Sequence, residues 1–106
     1  MSVQVLVATM HQKKDDYTLL DRLNVQSSAV VVNQCDRDEI CTIEYKGNKI
    51  VWIDSVERGL SRSRNIALQH AEAEICLLAD DDEVFVKDYE KRILKAYKNL
   101  PNADII

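Results

Sequence analysis

Short apolar runs alternate with amphipathic stretches along this chain, and their spacing predicts most of its elements. Val3 to Ala8 is apolar except for Gln4, as in a strand covered on both faces. A polar loop around His11 to Asp15 follows, and Tyr17, Leu19, Leu20 and Leu23 then recur at near-helical spacing. Ala29 to Val32 predicts a second buried strand, expected to end at Asn33-Gln34-Cys35-Asp36, whose side chains bond nearby backbone and leave regular structure easily. Ile40 to Tyr45 and Lys49 to Ile53 are β-branched and aromatic and flank Lys46-Gly47-Asn48, which predicts a hairpin or a pair of short strands. A helix is expected from about Gly59 to Ala71 and a buried strand from Glu74 to Ala79. Val86, Tyr89, Ile93, Leu94, Tyr97 and Leu100 form one helical stripe that Pro101 closes, and Asp104-Ile105-Ile106 looks like the start of another strand. Strands alternating with helices imply an α/β fold with a mostly parallel sheet, helices on both faces and right-handed crossovers. Such sheets bind ligands outside the carboxyl ends of their strands.

A length of 106 residues suits one core, and no Gly/Ser linker, low-complexity tract or repeat divides it. Residues 1–106 are therefore expected to form one domain. Eighteen acidic against 14 basic side chains, a net charge of −4, disfavour a sequence-independent grip on nucleic acid. No apolar stretch is long enough for a membrane span and no signal peptide is visible, so the chain is expected to be soluble and cytoplasmic. Cys35, Cys41 and Cys76 are odd in number and lack CxxC spacing, which favours reduced, mostly structural thiols. Trp52 is read first as a packed aromatic and second as a partner surface.

Three unusual segments fall at or near strand ends. Asp80-Asp81-Asp82-Glu83 places four acids directly after an apolar strand, and their mutual repulsion costs stability unless a cation or strong donors offset it. Carboxylate oxygens suit a hard divalent ion, Mg²⁺ or Mn²⁺, completed by water and phosphates; the plainer reading is an acidic turn at a helix start. Arg58-Gly59-Leu60-Ser61-Arg62-Ser63-Arg64-Asn65 sets three arginines at a helix N-terminus, where cations face the positive end of the dipole. A diphosphate would resolve that conflict; the alternative is an exposed basic turn capped by Ser61. Third, Ala8-Thr9-Met10-His11 and Asn33-Gln34-Cys35-Asp36 offer short polar side chains that can hydrogen-bond a base and ribose, or serve as ordinary loops. His11 is read as a surface loop histidine, since no nucleophile motif accompanies it.

In this order the three segments resemble family 2 glycosyltransferases of the GT-A fold. The resemblance is carried by Val5-Leu6-Val7-Ala8-Thr9, Val31-Val32-Asn33, Gly59 to Asn65 for the G-x-x-x-A/S-R-N helix start, and Leu78 to Glu83 for the DxD segment. It covers essentially the whole chain but only the front part of such an enzyme, so the chain is similar to a truncated, Rossmann-like GT-A half. The resemblance implies a nucleoside diphosphate sugar donor, UDP-sugar first, and an acceptor sugar or lipid-linked glycan. It places Asp80 near the sugar-nucleotide, Asp80 and Asp82 on Mn²⁺ or Mg²⁺, Arg64 on the nucleotide or diphosphate and Thr9 in the nucleoside pocket. Arg64 is expected to reach phosphate rather than a salt bridge, because its sequence neighbours are Arg58 and Arg62. The family commonly carries an Asp pair after strand two; here Asn33-Gln34 stand there, so Asn33 or Asp36 is expected to read the base. Asp81 and Glu83 are expected to support or cap. The resemblance also implies inverting transfer and a catalytic base beyond Ile106, so this stretch is expected to bind donor at most, without turnover, and either to self-associate through an uncovered sheet edge or to be less stable than a longer chain. The rivals are a nucleotidyl- or phosphoryl-transfer domain, which lacks a P-loop here, and a non-catalytic receiver-like or interaction module.

Overall fold

A computed structural model of the chain describes residues 3–12, 17–82 and 84–98. The expected strand at 104–106, Pro101 and Glu83 lie outside the described residues. The strands β1 (Val3–Met10), β2 (Ser28–Gln34), β3 (Glu39–Tyr45), β4 (Asn48–Ser55) and β5 (Ile75–Asp80) form one sheet in the order β3-β4-β2-β1-β5. All neighbours pair in parallel except β3 with β4. The helices are α1 (Thr18–Leu23), α2 (Leu60–Gln69) and α3 (Tyr89–Lys98).

Alternation along each strand divides the core in two, as expected for a sheet covered on both faces. Val5, Val7, Val31 and Trp52 face α1 and α3, packing with Leu19, Leu20, Leu23, Phe85 and Tyr89. Leu6, Val30, Val32 and Ile53 face α2 through Ala67 and Ile66. The α/β class and the helices on both faces therefore agree with the sequence pattern. Trp52 is buried in the first of these clusters rather than displayed. No helix among the described residues is long and apolar enough to cross a membrane.

The hairpin expected at Lys46-Gly47 is present, with Tyr45 paired to Asn48 and both loop residues at positive φ, 50° and 82°, as a type I′ turn requires. Its strand β3 stands at the sheet edge outside β4, so the connection between the parallel neighbours β2 and β4 runs through an antiparallel strand instead of a helix. Three boundaries differ from the sequence pattern. Asn33 and Gln34 stay in β2, because β1 and β4 pair them from both sides through Thr9 and Asp54 and through Met10 and Ser55. Gly59, at φ 102°, occupies the cap position of α2, and Ser61 lies exposed inside the first turn. The last helix starts at Tyr89 and not at Val86, since tertiary hydrogen bonds claim the backbone before it: Phe85 N–H donates to Leu23, the Asn24 amide donates to the Phe85 carbonyl, and Gln26 donates to the Val86 carbonyl.

Candidate functional site

From β1 the chain proceeds outward through β2 to the edge strand β3, turns back into β4 between them, then crosses through α2 to β5 on the other flank of β1. That reversal opens a crevice at the carboxyl ends of the strands, where sheets of this type hold ligands. A cleft of about 380 Å³ lies there, lined by Ala8, Thr9 and Met10 of β1, Gln34 of β2, Gly59 and Asp80 to Asp82.

Register explains how the acidic run is arranged. Ala8 pairs with Asp80, so Asp80 belongs to the α2 face and Asp81 to the α1 face. The Asp80 carboxylate accepts from Arg64 Nη2 at 3.2 Å, with both side chains about half exposed, at 42% for Arg64 and 43% for Asp80. Arg64 thus has an acidic partner, contrary to the expectation drawn from its sequence neighbours; α2 brings it over the end of β5. The Asp81 carboxylate accepts from the Thr9 hydroxyl at 2.8 Å, while the Asp81 carbonyl accepts from Arg22 of α1 at 3.2 Å. Asp82, which also lines the cleft, is exposed. Thr9, Arg64, Asp80, Asp81 and Asp82 therefore share one site.

The other arginines of the basic segment do not join it. Arg58 donates to the carbonyls of Cys35 and Val56 and so closes the turn after β4. Arg62 meets Glu57 at 3.7 Å on the surface. Ser63 is buried and accepts from the Gln34 amide at 2.9 Å, fastening the start of α2 to the tip of β2.

Asp36 lies exposed on the bend after β2, outside the cleft lining. Asn33 is 1% exposed and its amide is fully engaged: Nδ2 donates to Asp54 at 2.9 Å and to the Gln12 carbonyl at 3.1 Å, and Oδ1 accepts from the Gln12 N–H at 3.0 Å. Direct base reading through Asn33 would require those bonds to break. Sequence reasoning missed Asp54, which is 2% exposed and accepts from the indole of Trp52 at 2.9 Å and from Arg37 Nε at 3.2 Å. Burial pushes its pKa up, but donors from Asn33 and Trp52 and the charge of Arg37 outweigh this and hold it below the usual carboxylate range. The signal lay in the alternation: Trp52 and Asp54 share a face, so an acid two residues after a buried aromatic must itself sit at the edge of the core.

The carboxylates of Asp80, Asp81 and Asp82 offer only hard oxygen donors. Among the described residues no three His, Cys, Asp or Glu side chains already converge into a metal cage. Oxygen donors of this kind would suit only a hard cation that fills the remainder of its shell with water or phosphate oxygens.

Together, the mostly parallel sheet, the helices on both its faces and the crevice where the strand order reverses define a Rossmann-like α/β domain. Residues 29–106 match the glycosyl transferase family 2 profile, and the chain belongs to that family. It is 22% identical over 109 residues to an uncharacterized glycosyltransferase of Haemophilus influenzae, a match covering 98% of this chain and 37% of that protein. The chain thus spans somewhat over a third of the length of that relative. No solved structure matches significantly.

Proposed function

We propose that this chain forms the donor-binding part of an inverting glycosyltransferase that takes a nucleoside diphosphate sugar, UDP-sugar first, with Mn²⁺ or Mg²⁺. The convergence of Thr9 and Asp80 to Asp82 on one cleft, with Arg64 paired to Asp80, carries this reading. Asp80 and Asp82 hold the ion, and the Arg64 fork, exchanging its contact with Asp80 for phosphate oxygens, binds the diphosphate. The chemistry the ion supplies is neutralisation of charge growing on the leaving diphosphate. In the transfer, the bond from the anomeric carbon to the diphosphate oxygen breaks, a bond to the acceptor hydroxyl oxygen forms on the opposite face, and the hydroxyl proton goes to a base on the acceptor side. The acceptor is a sugar or a lipid-linked glycan.

Calorimetry of UDP with and without Mn²⁺ tests the site. Binding is expected to tighten with Mn²⁺, and Asp82→Ala is expected to remove that tightening while leaving thermal stability nearly unchanged, because it relieves like-charge repulsion. A metal effect of equal size in parent and variant defeats the assignment.

A further inference from the structure

Among the described residues Asp54 is the only charged side chain that is fully buried. A carboxylate in such a place is tolerated only when donors surround it, and here Trp52, Asn33 and Arg37 provide them. The arrangement has a direction. Val7, Val31 and Trp52 form an apolar row across β1, β2 and β4, and two residues further on the same face carries Thr9, Asn33 and Asp54. An ionised Asp54 is acceptor-only, so it admits the Asn33 amide in one orientation, with Nδ2 toward itself. The remaining Nδ2 hydrogen and Oδ1 then match the carbonyl and N–H of Gln12, as a neighbouring strand would.

What this clamp holds is a strained turn at the cleft wall. Thr9 and Met10 line the cleft, and His11 directly after them has φ 53°, a left-handed conformation that disfavours a residue with a Cβ. Its N–H donates to the Gln34 carbonyl at 2.9 Å, and the Asn33 clamp secures Gln12 beyond it. If the diphosphate occupies the end where Arg64 meets the acids, the β1 and β2 tips are left for the nucleoside.

We propose that Asp54 is a positioning residue for donor binding: fixed by Trp52 and Arg37, it orients the Asn33 amide, which sets the Met10 to Gln12 backbone on the nucleoside side of the cleft. The inference rests on the donor-site reading above. Asp54 touches no ligand itself, so its effect reaches the nucleoside alone, and uridine and UDP lose affinity by the same factor when it is removed.

The test measures uridine and UDP binding by calorimetry in the parent, Asp54→Ala and Asp54→Asn, together with melting temperature and amide exchange at Gln12. The indole resonance of Trp52, the single tryptophan, reports the carboxylate directly. For Asp54→Ala we expect faster exchange at Gln12 and about tenfold weaker binding of both ligands, as when buried donors lose their acceptor. Asp54→Asn keeps an oxygen toward Asn33 and Trp52 and is expected to restore binding to within about threefold of the parent. A purely structural role lowers the melting temperature of Asp54→Ala and leaves the affinity of the folded protein unchanged, which overturns the inference and spares the donor site. Failure of Asp54→Asn to restore affinity overturns it too. Absence of binding by the parent to UDP, GDP, CDP and TDP alike defeats the donor reading and the inference with it. Should Asp54→Ala not fold, Gln12→Pro deletes the clamped N–H from outside the core, and unaltered uridine affinity there is the overturning result.

Discussion

Tyr45 shows how a single side chain can tie two elements and set a pH limit. Its ring is buried at the end of β3, and its hydroxyl donates to the Asp21 carboxylate on α1. Burial, and then the hydrogen bond and charge of Asp21, favour the neutral phenol and push its pKa up to about 12. The unfolded chain releases the same proton near the ordinary value of about 10. The folded state therefore binds the proton more tightly, so the contribution is complete below about pH 10 and is lost as pH rises toward 12. Melting temperature should fall more steeply over that window in the parent than in Tyr45→Phe, which has no proton to release. All other side chains are common to both proteins, so the difference isolates Tyr45; parallel curves would remove its assigned role.

At the scale of elements, the segment between β5 and α3 is governed by contacts far away in sequence. Tyr89 opens α3 with its hydroxyl buried, bonded to the Gln26 N–H at 2.9 Å and to the Ser27 hydroxyl at 2.7 Å. Tyr89→Phe keeps the ring against Phe85 and takes the acceptor from the Gln26 N–H, while the Ser27 hydroxyl retains the Ser28 carbonyl, a loss of about 1–3 kcal/mol. Urea denaturation should show that loss as a lower midpoint with an unchanged slope, whereas an unaltered midpoint would mean that water replaces the hydroxyl without cost. The same contacts explain what was legible beforehand. Apolar runs such as Ala29 to Val32 and the repeat Ile93, Leu94 declare their elements locally, because burial on one or both faces leaves a period in the sequence. Asn33, Gln34 and Val86 misled, since their conformation is chosen by partners on other strands and, for Val86, by Gln26 between α1 and β2. For the site, the acidic run and Arg64 stood out by composition; Asp80 to Asp82 line the cleft, and Arg64 meets Asp80. The pairing of Arg64 with Asp80, the burial of Asn33 and the presence of Asp54 depend on strand register, which no local window contains.

Over the whole molecule, the site joins parts that otherwise meet only through the sheet. Thr9 belongs to β1, Arg22 to α1, Arg64 to α2 and the acids to the end of β5, so a ligand spanning them links both core clusters. Three adjacent carboxylates in the described part of the run also repel one another, and the arginines offset this only in part, since Arg64 reaches Asp80 while half exposed. On the proposed donor site, metal and diphosphate together should therefore stabilise the fold more than either alone: the cation would relieve the repulsion, and the diphosphate would then meet both the cation and the Arg64 fork. Ligand that binds only the folded state adds RT ln(1 + [L]/Kd), about 2.7 kcal/mol at a hundredfold excess over Kd. For a domain of this size each 1 kcal/mol raises the melting temperature by roughly 4–8 °C. Saturating UDP with Mn²⁺ is thus expected to raise it by on the order of 10 °C or more, with UDP alone or Mn²⁺ alone giving clearly less. Thermal melts of the parent and of Asp82→Ala under the four conditions decide the matter. Additive shifts in the parent, or a synergy that survives in the variant, would mean that cation and nucleotide occupy separate places on the molecule.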